Sequence, residues 1–248
     1  MSHGYSRVAL VSAGSRGIGA ATVRRLAADG WDISFCHHDD EMSAREVEKS
    51  AFELGARVLA LQVDVTAGYE VASWVRRVQE ELGPVEAVVS CAGITRDQPL
   101  TRLDDADWRA VTDTTLDGVF NLCQATLLSM MRRHSGRIAM VSSVFGVYAH
   151  PSWGRYPVPR AGIVGFTQAL AKVTSQFGIR ANVIAPGVTV TDTTAIVPEA
   201  TGAAMTETII LRRFGSAAEV ADRVAFLLSD KGAALTGRVL EAPGGIWR

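Results

Sequence analysis

Short apolar runs alternate along this chain with longer stretches of helical periodicity, and that alternation constrains the fold more than any other feature. Val8–Val11, Ile33–Cys36, Val58–Gln62, Ala87–Ser90, Arg137–Val141, Arg180–Ile184 and Val239–Ala242 read as strands buried on both faces. Between them the spacing predicts helices near Ile18–Asp29, Ser43–Leu54, Tyr69–Leu82, Ala106–His134, Val158–Phe177 and Ala217–Ser229. Strand–helix–strand units closed by right-handed crossovers give a single α/β domain over residues 1–248, a doubly wound parallel sheet with helices on both faces. Ligands of such a sheet sit in the loops at the carboxyl ends of its strands.

Composition narrows the partners. A chain of 248 residues, 48% hydrophobic and 21% charged, is an ordinary globular mixture. Its net charge of -1 and the lack of any Lys/Arg-rich run argue against nucleic acid. Cys36, Cys91 and Cys123 follow no metal-ligand spacing, and their odd number fits a reducing compartment, so no metal is expected. The early run Val8–Gly14 has the look of a signal-peptide core, but a glycine turn and a helical pattern follow it. No apolar stretch is long enough for a membrane. The expectation is a cytoplasmic protein with small-molecule partners. The segment Val188–Gly215, rich in Thr, Ala and Gly, reads as a substrate lid.

Directly after the first strand comes SAGSRGIG, Ser12–Gly19, opening into AATVRRLAADG. A glycine turn at a helix start lets backbone N–H groups and the positive helix end meet a pyrophosphate, because no side chain holds the phosphates away. Ser12, Gly14, Ser15, Gly17, Ile18 and Gly19 thus form an expected dinucleotide turn, and the sheet is read as Rossmann-type. A plain tight turn is the alternative. Arg16 lies in this turn, and the second strand ends in CHHDD, so His37 and His38 stand where NAD enzymes place an acid for the ribose 2′-hydroxyl. An acid repels a 2′-phosphate, whereas Arg16 and nearby imidazoles attract one, which favours NADP(H) over NAD(H). In the competing reading Arg16 is a solvated loop cation, and Asp39 or Asp40 reaches the ribose.

Further along, AGITRD (Ala92–Asp97), GRIAMVSS (Gly136–Ser143), AGIVGFTQALA (Ala161–Ala171), ANVIAPG (Ala181–Gly187) and LTGRVL (Leu235–Leu240) follow one another. With these motifs in this order, nearly the whole chain resembles the short-chain dehydrogenase/reductase family, most closely its 3-oxoacyl-[acyl-carrier-protein] reductases and polyketide ketoreductases. The resemblance implies that Asp64 and Val65 border the adenine, and that Ala92 and Gly93, with Cys91 before them, border the adenosine ribose. It implies Pro186, Gly187, Val188 and Thr191 on the nicotinamide side, and Ser143 and Tyr156 as the catalytic serine and tyrosine at the family's usual spacing. It also implies a homotetramer formed through the long helices near 106–134 and 158–177, with the C-terminal strand in a second interface.

The chemistry agrees with keeping both hydroxyls. As hydride reaches a carbonyl carbon, negative charge grows on oxygen, and two O–H donors stabilise it. A free tyrosine, with a pKa of about 10, is a slow acid–base catalyst at neutral pH, so a cation beside it is needed. Position 160 shares a helix face with Tyr156, and Arg160 supplies that cation.

Four departures from the family's pattern fall on the site. Its Thr-Gly is Ser12-Ala13, its Asn-Ala-Gly is Cys91-Ala92-Gly93, its active-site asparagine is Thr115 and its lysine is Arg160. Cys91 removes an amide that helps hold the central strands. Because alanine disfavours positive φ, the turn is expected to keep an ordinary backbone at Ala13. Thr115 offers a hydroxyl in place of an amide, so a proton path there must be rebuilt. Arg160 keeps its charge and can take both ribose hydroxyls in its planar fork, but it cannot give up a proton. Pro157 and Pro159 fit only a first helical turn, which puts the helix start close to Tyr156.

Other features carry less. LDD, Leu103–Asp105, is similar to a stereochemical marker of polyketide ketoreductases, but ITRDQPLTR separates it from the Ala-Gly, so Asp104 or Asp105 is read as a helix N-cap. His150 is read as pocket wall or surface, with a proton-donating role as the sharper alternative. Phe145, Tyr148 and Trp153 either line a pocket for a flat substrate or close the core beneath their loop. The function expected is an NADPH-dependent ketoreductase with Ser143, Tyr156, Arg160 and Thr115 as its catalytic set. Its substrate would be a small-molecule ketone, an aromatic polyketide of antibiotic biosynthesis or an acyl-carrier-bound intermediate. A non-catalytic paralogue that binds cofactor or a partner stands against it, as does altered chemistry such as quinone reduction, dehydration or cyclisation.

Overall fold

The alternation folds as a layered α/β domain. In the computed structural model, residues 7–95, 102, 104–148, 156–191, 206, 207 and 209–242 are described. β1 (Arg7–Val11), β2 (Trp31–His37), β3 (Val58–Gln62), β4 (Val85–Ser90), β5 (Gly136–Val141), β6 (Ile179–Pro186) and β9 (Val239–Ala242) form one sheet in the order β3-β2-β1-β4-β5-β6-β9. Every pairing in it is parallel. Beside it, β7 (Thr189–Val190) pairs with β8 (Gly215–Ser216), a ribbon too short to carry a period in the sequence. The helices are α1 (Gly17–Ala28), α2 (Glu41–Glu53), α3 (Gly68–Glu81), α4 (Asp105–Thr112), α5 (Gly118–Arg133), α6 (Val144–Val147), α7 (Pro157–Thr174) and α8 (Ala217–Leu228).

Two cores cover the two faces of the sheet, and successive strand residues enter opposite ones. Val8, Leu10, Val88 and Met140 pack with Trp74, Leu122 and Ile163 from α3, α5 and α7. Ala9, Val11, Val89 and Phe35 pack with Val23, Val47 and Val224 from α1, α2 and α8. The strands extend beyond their apolar runs where a distant partner satisfies a polar residue. β2 begins before Ile33 and includes Asp32, only 4% exposed, because Arg57 gives it a backbone N–H at 2.9 Å and an ion pair at 2.6 Å.

Sheet order reverses direction between β1 and β4, opening a crevice above their carboxyl ends. The helix expected over Ala106–His134 is interrupted there by a π-helical turn, Asp113–Asp117, between α4 and α5. One inserted residue does not disturb apolar spacing enough to be seen in sequence, and such bulges gather at functional sites. Among the described residues, no helix is long and apolar enough to cross a membrane, and no His/Cys/Asp/Glu group is arranged to hold a metal.

Candidate active site

The crevice starts at Ser12, which is fully buried. Its N–H donates to the Val89 carbonyl at 3.0 Å, and its Oγ accepts from the amides of Cys91 at 3.0 Å and Ala92 at 3.1 Å. One hydroxyl therefore pins β1 to the loop after β4, across the point where the missing asparagine amide was expected to weaken the centre.

Ala13 corrects the sequence reading, since its φ is 51°, in the left-handed region. The turn is closed from both sides. Gly14 N–H donates to the Cys36 carbonyl at 2.8 Å, and the Ala13 carbonyl lies against Gly19, where any Cβ would collide with it. Ala13 absorbs the resulting strain, roughly 1 kcal/mol. Gly14 has no room for a side chain either, because a Cβ would lie 2.5 Å from Phe35. Ser15 is half-buried in the turn, and Ile18 packs onto the α1 core. α1 then begins at Gly17 with no side-chain cap and no acid in its first turn, so its leading N–H groups fit an anion such as a pyrophosphate.

At the expected adenosine end, Arg16 pairs with Asp40 at 3.1 Å. Asp40 also caps α2 by accepting from the Ser43 N–H at 3.0 Å, and that bond, with Arg16 beyond it, holds its carboxyl below the usual range. Asp40, one of the two acids of the competing reading, is thus engaged. An exposed pair of this kind is worth at most about 1 kcal/mol, so turning Arg16 towards a phosphate costs little. His37 ends β2 buried, with no hydrogen-bond partner for Nδ1, while His38 is exposed. Asp64 Oδ1 accepts from Thr66 N–H at 2.9 Å, and the carbonyl of buried Val65 accepts from Asn121 Nδ2 at 2.9 Å. Asn121 ties α5 to this loop. Sequence reasoning missed it, the only signal being an amide within an apolar helix.

At the other end, β5 runs into Ser142 and Ser143. Ser143 is 4% exposed and caps α6, its Oγ accepting from the Phe145 N–H at 3.2 Å. Ser142 Oγ donates to the Arg160 carbonyl at 2.7 Å. A Cβ on Gly146 would lie 2.7 Å from both the carbonyl carbon and the Cβ of Arg160. That close approach joins the Ser143 turn to the first turn of α7, which starts at Pro157 with Tyr156 as its N-cap.

Arg160 is 8% exposed. Its Nη1 donates to the Val141 carbonyl at 2.8 Å, and its Cζ stands 5.2 Å from the centroid of the Tyr156 ring. Nη2 lies against Gly93, where a Cβ would come within 2.5 Å. No ion pair of Arg160 occurs among the described residues. The cation thus faces the phenol ring as expected, but one arm of the fork expected to take ribose hydroxyls already holds a backbone carbonyl. Thr115 sits in the π-turn, 1% exposed, with an unpartnered Oγ1 that would be 3.3 Å from the same Gly93 Cβ.

Pro186–Thr191 form the facing wall. Gly187 N–H donates to the Ala242 carbonyl at 3.3 Å, the Val188 carbonyl accepts from Gly215 at 2.9 Å, and a Cβ on Gly17 would meet the Thr191 methyl at 3.4 Å. Tyr148 donates to Glu241 at 2.6 Å, tying α6 to β9, and Asp104 caps α4 by accepting from Asp107 at 2.7 Å, as read. Asp97, Leu103, His150, Trp153 and residues 192–205 of the expected lid lie outside the described residues. Burial pushes the thiols of Cys36, Cys91 and Cys123 up to about 12, Cys91 included despite the charge of Arg160, so none serves as a nucleophile at neutral pH.

A family model described as enoyl-(acyl carrier protein) reductase matches residues 12–246. The chain is 34% identical to the 3-oxoacyl-[acyl-carrier-protein] reductase of Staphylococcus epidermidis over 242 residues, which cover 98% of this chain and 99% of that protein. The enzyme of the same name from Staphylococcus aureus is 34% identical over 98% of both chains. That of Escherichia coli is 35% identical over 97% of both.

Proposed function

Because the chain belongs to the short-chain dehydrogenase/reductase family, an oxidoreductase family, we propose that it is an NADPH-dependent ketoreductase acting on a carrier-bound or otherwise bulky ketone, such as an aromatic polyketide. The observation that carries this reading is the contact of Gly146 with Arg160, which holds the Ser143 turn against the Tyr156 turn at the carboxyl edge of the sheet. NADPH, held by the 12–19 turn with Arg16 at its 2′-phosphate, would supply the hydride. Ser143 and Tyr156 donate hydrogen bonds to the carbonyl oxygen, and the Tyr156 proton passes to it, so hydride and proton together give a secondary alcohol. Arg160 favours the phenolate left behind without taking part in proton transfer. The exposed apolar residues Phe120 and Leu128 on α5, and Val158 and Val173 on α7, support a homotetramer built through these helices.

The test is NADPH oxidation with three substrates: a 3-oxoacyl thioester, an aromatic polyketide ketone and an enoyl thioester. A ketone substrate should yield a secondary alcohol, and Tyr156→Phe should lower turnover by about a hundredfold or more. Full turnover in Tyr156→Phe defeats the reading. NADPH binding without turnover of any ketone leaves the non-catalytic paralogue, and a product other than the alcohol leaves altered chemistry.

A further inference from the structure

Buried helical threonines in this protein share one habit. Thr22, Thr126, Thr167 and Thr174 each donate Oγ1 to the carbonyl four residues back, at 2.7, 2.7, 2.7 and 2.8 Å. Thr115 is as buried but does not. The π-turn adds a residue, so the carbonyl four back no longer lies beneath the hydroxyl. Thr112, the last residue of α4, also has an unpaired hydroxyl. The π-turn therefore aims the Thr115 side chain away from its own helix, towards Gly93 and the Arg160 guanidinium.

Three residues meet at that point, and each is there at a restricted size. Gly93 has no Cβ, and one placed there would be 2.5 Å from Nη2, 3.1 Å from Cζ and 3.3 Å from Thr115 Oγ1. The guanidinium spans from the Val141 carbonyl to Gly93 while lying over the Tyr156 ring. Resting on the reading of Tyr156 as proton donor, we propose that Thr115 is a positioning residue that acts through Arg160, the two forming a size-matched pair. A longer side chain at 115 pushes the guanidinium off the ring. A lysine at 160 has one nitrogen, so it cannot both hold the Val141 carbonyl and fill the space beside Gly93 and Thr115. Changing both together fills that space with the longer side chain.

The experiment is a double-mutant cycle with Thr115→Asn and Arg160→Lys, reading melting midpoint, NADPH affinity and the pH profile of turnover. Each single variant should lower kcat/KM by about tenfold or more and change the pH profile. The double variant should keep a kcat/KM about tenfold above that expected from multiplying the two single losses, a coupling within the range of contacting residues. It should also melt above Thr115→Asn. Thr115→Val, which keeps the volume and removes the hydroxyl, should likewise melt above Thr115→Asn. Additive losses in both turnover and melting, or a Thr115→Val midpoint at or below that of Thr115→Asn, overturn the pair. If the wild type reduces no ketone, the functional reading fails, while the melting and affinity cycles still decide the pairing.

Discussion

Gly146→Ala puts one methyl into the seam between α6 and α7. The new Cβ would stand 2.7 Å from the carbonyl carbon and Cβ of Arg160 and 3.0 Å from the Ala161 nitrogen. None of these atoms can rotate aside, so the seam must open by about 0.7 Å, the gap between 2.7 Å and ordinary contact at 3.4 Å. Overpacking of this kind costs about 1–3 kcal/mol. Gly146 has no positive φ, so alanine is not strained there and returns up to about 1 kcal/mol of helix propensity. A net loss of about 1–2 kcal/mol lowers the melting midpoint by about 2–8 °C in a chain of this size. The same opening stretches the bond from Ser142 Oγ to the Arg160 carbonyl and draws Ser143 away from Tyr156. Misplacement on this scale should reduce kcat about 10- to 100-fold. NADPH affinity should change far less, because the phosphate turn belongs to β1 and α1. Differential scanning fluorimetry, calorimetric NADPH titration and initial rates measure the three quantities. A variant that melts and turns over like wild type refutes the reasoning, since α6 would then slide freely and the seam would not set the site.

Ser12→Ala leaves the buried amides of Cys91 and Ala92 without their acceptor, and a urea titration should show a loss of about 2–5 kcal/mol; less than about 1 kcal/mol contradicts that role. Glu219 is held at about 2 by Arg213 against an ordinary value of 4.5, so its contribution is present above pH 4.5 and lost as pH falls towards 2. Glu219→Gln should therefore flatten the decline in urea midpoint over that window, and an unchanged decline refutes the assignment. The buried thiols of Cys36 and Cys123 should resist a disulfide reagent at pH 8 in the native protein and react in denaturant; a fast native phase of more than one thiol contradicts their burial. Arg16→Ala should weaken NADPH binding about tenfold or more while sparing NADH, and equal effects on both would remove Arg16 from the 2′-phosphate.

The sheet was legible because its inner strands, buried on both faces, write continuous apolar runs, and even the partly buried edge strands keep the bounds expected, Val58–Gln62 and Val239–Ala242. What escaped depends on partners distant in sequence. Asp32 lies inside β2 because of Arg57, which no local rule connects to it. Ala13 was assigned an ordinary backbone from its intrinsic preference, and closure of the turn by Cys36 and Gly19 overrides that preference. The π-turn at Thr115 hides inside helical periodicity. Ser143 and Tyr156, singled out by the resemblance, lie on turns that meet where Gly146 packs against Arg160. The anchoring of Arg160 on Val141, by contrast, depends on where β5 ends relative to α7.

That anchoring changes what the arginine does. A buried cation without a carboxylate is unfavourable by several kcal/mol unless other groups solvate it. Among the described residues, the Val141 carbonyl and the face of the Tyr156 ring do so. With no ion pair of Arg160 among the described residues, its charge favours negative charge beside the ring it faces, which under the proposed function is the Tyr156 phenolate. A lysine in that place could also pass a proton, but this arginine is fixed at one arm and never deprotonates. Under the proposed function, charge stabilisation and proton supply, which one lysine could join, fall to separate groups. If Tyr156 donates its proton as proposed, the proton that returns to it comes from a group other than Arg160.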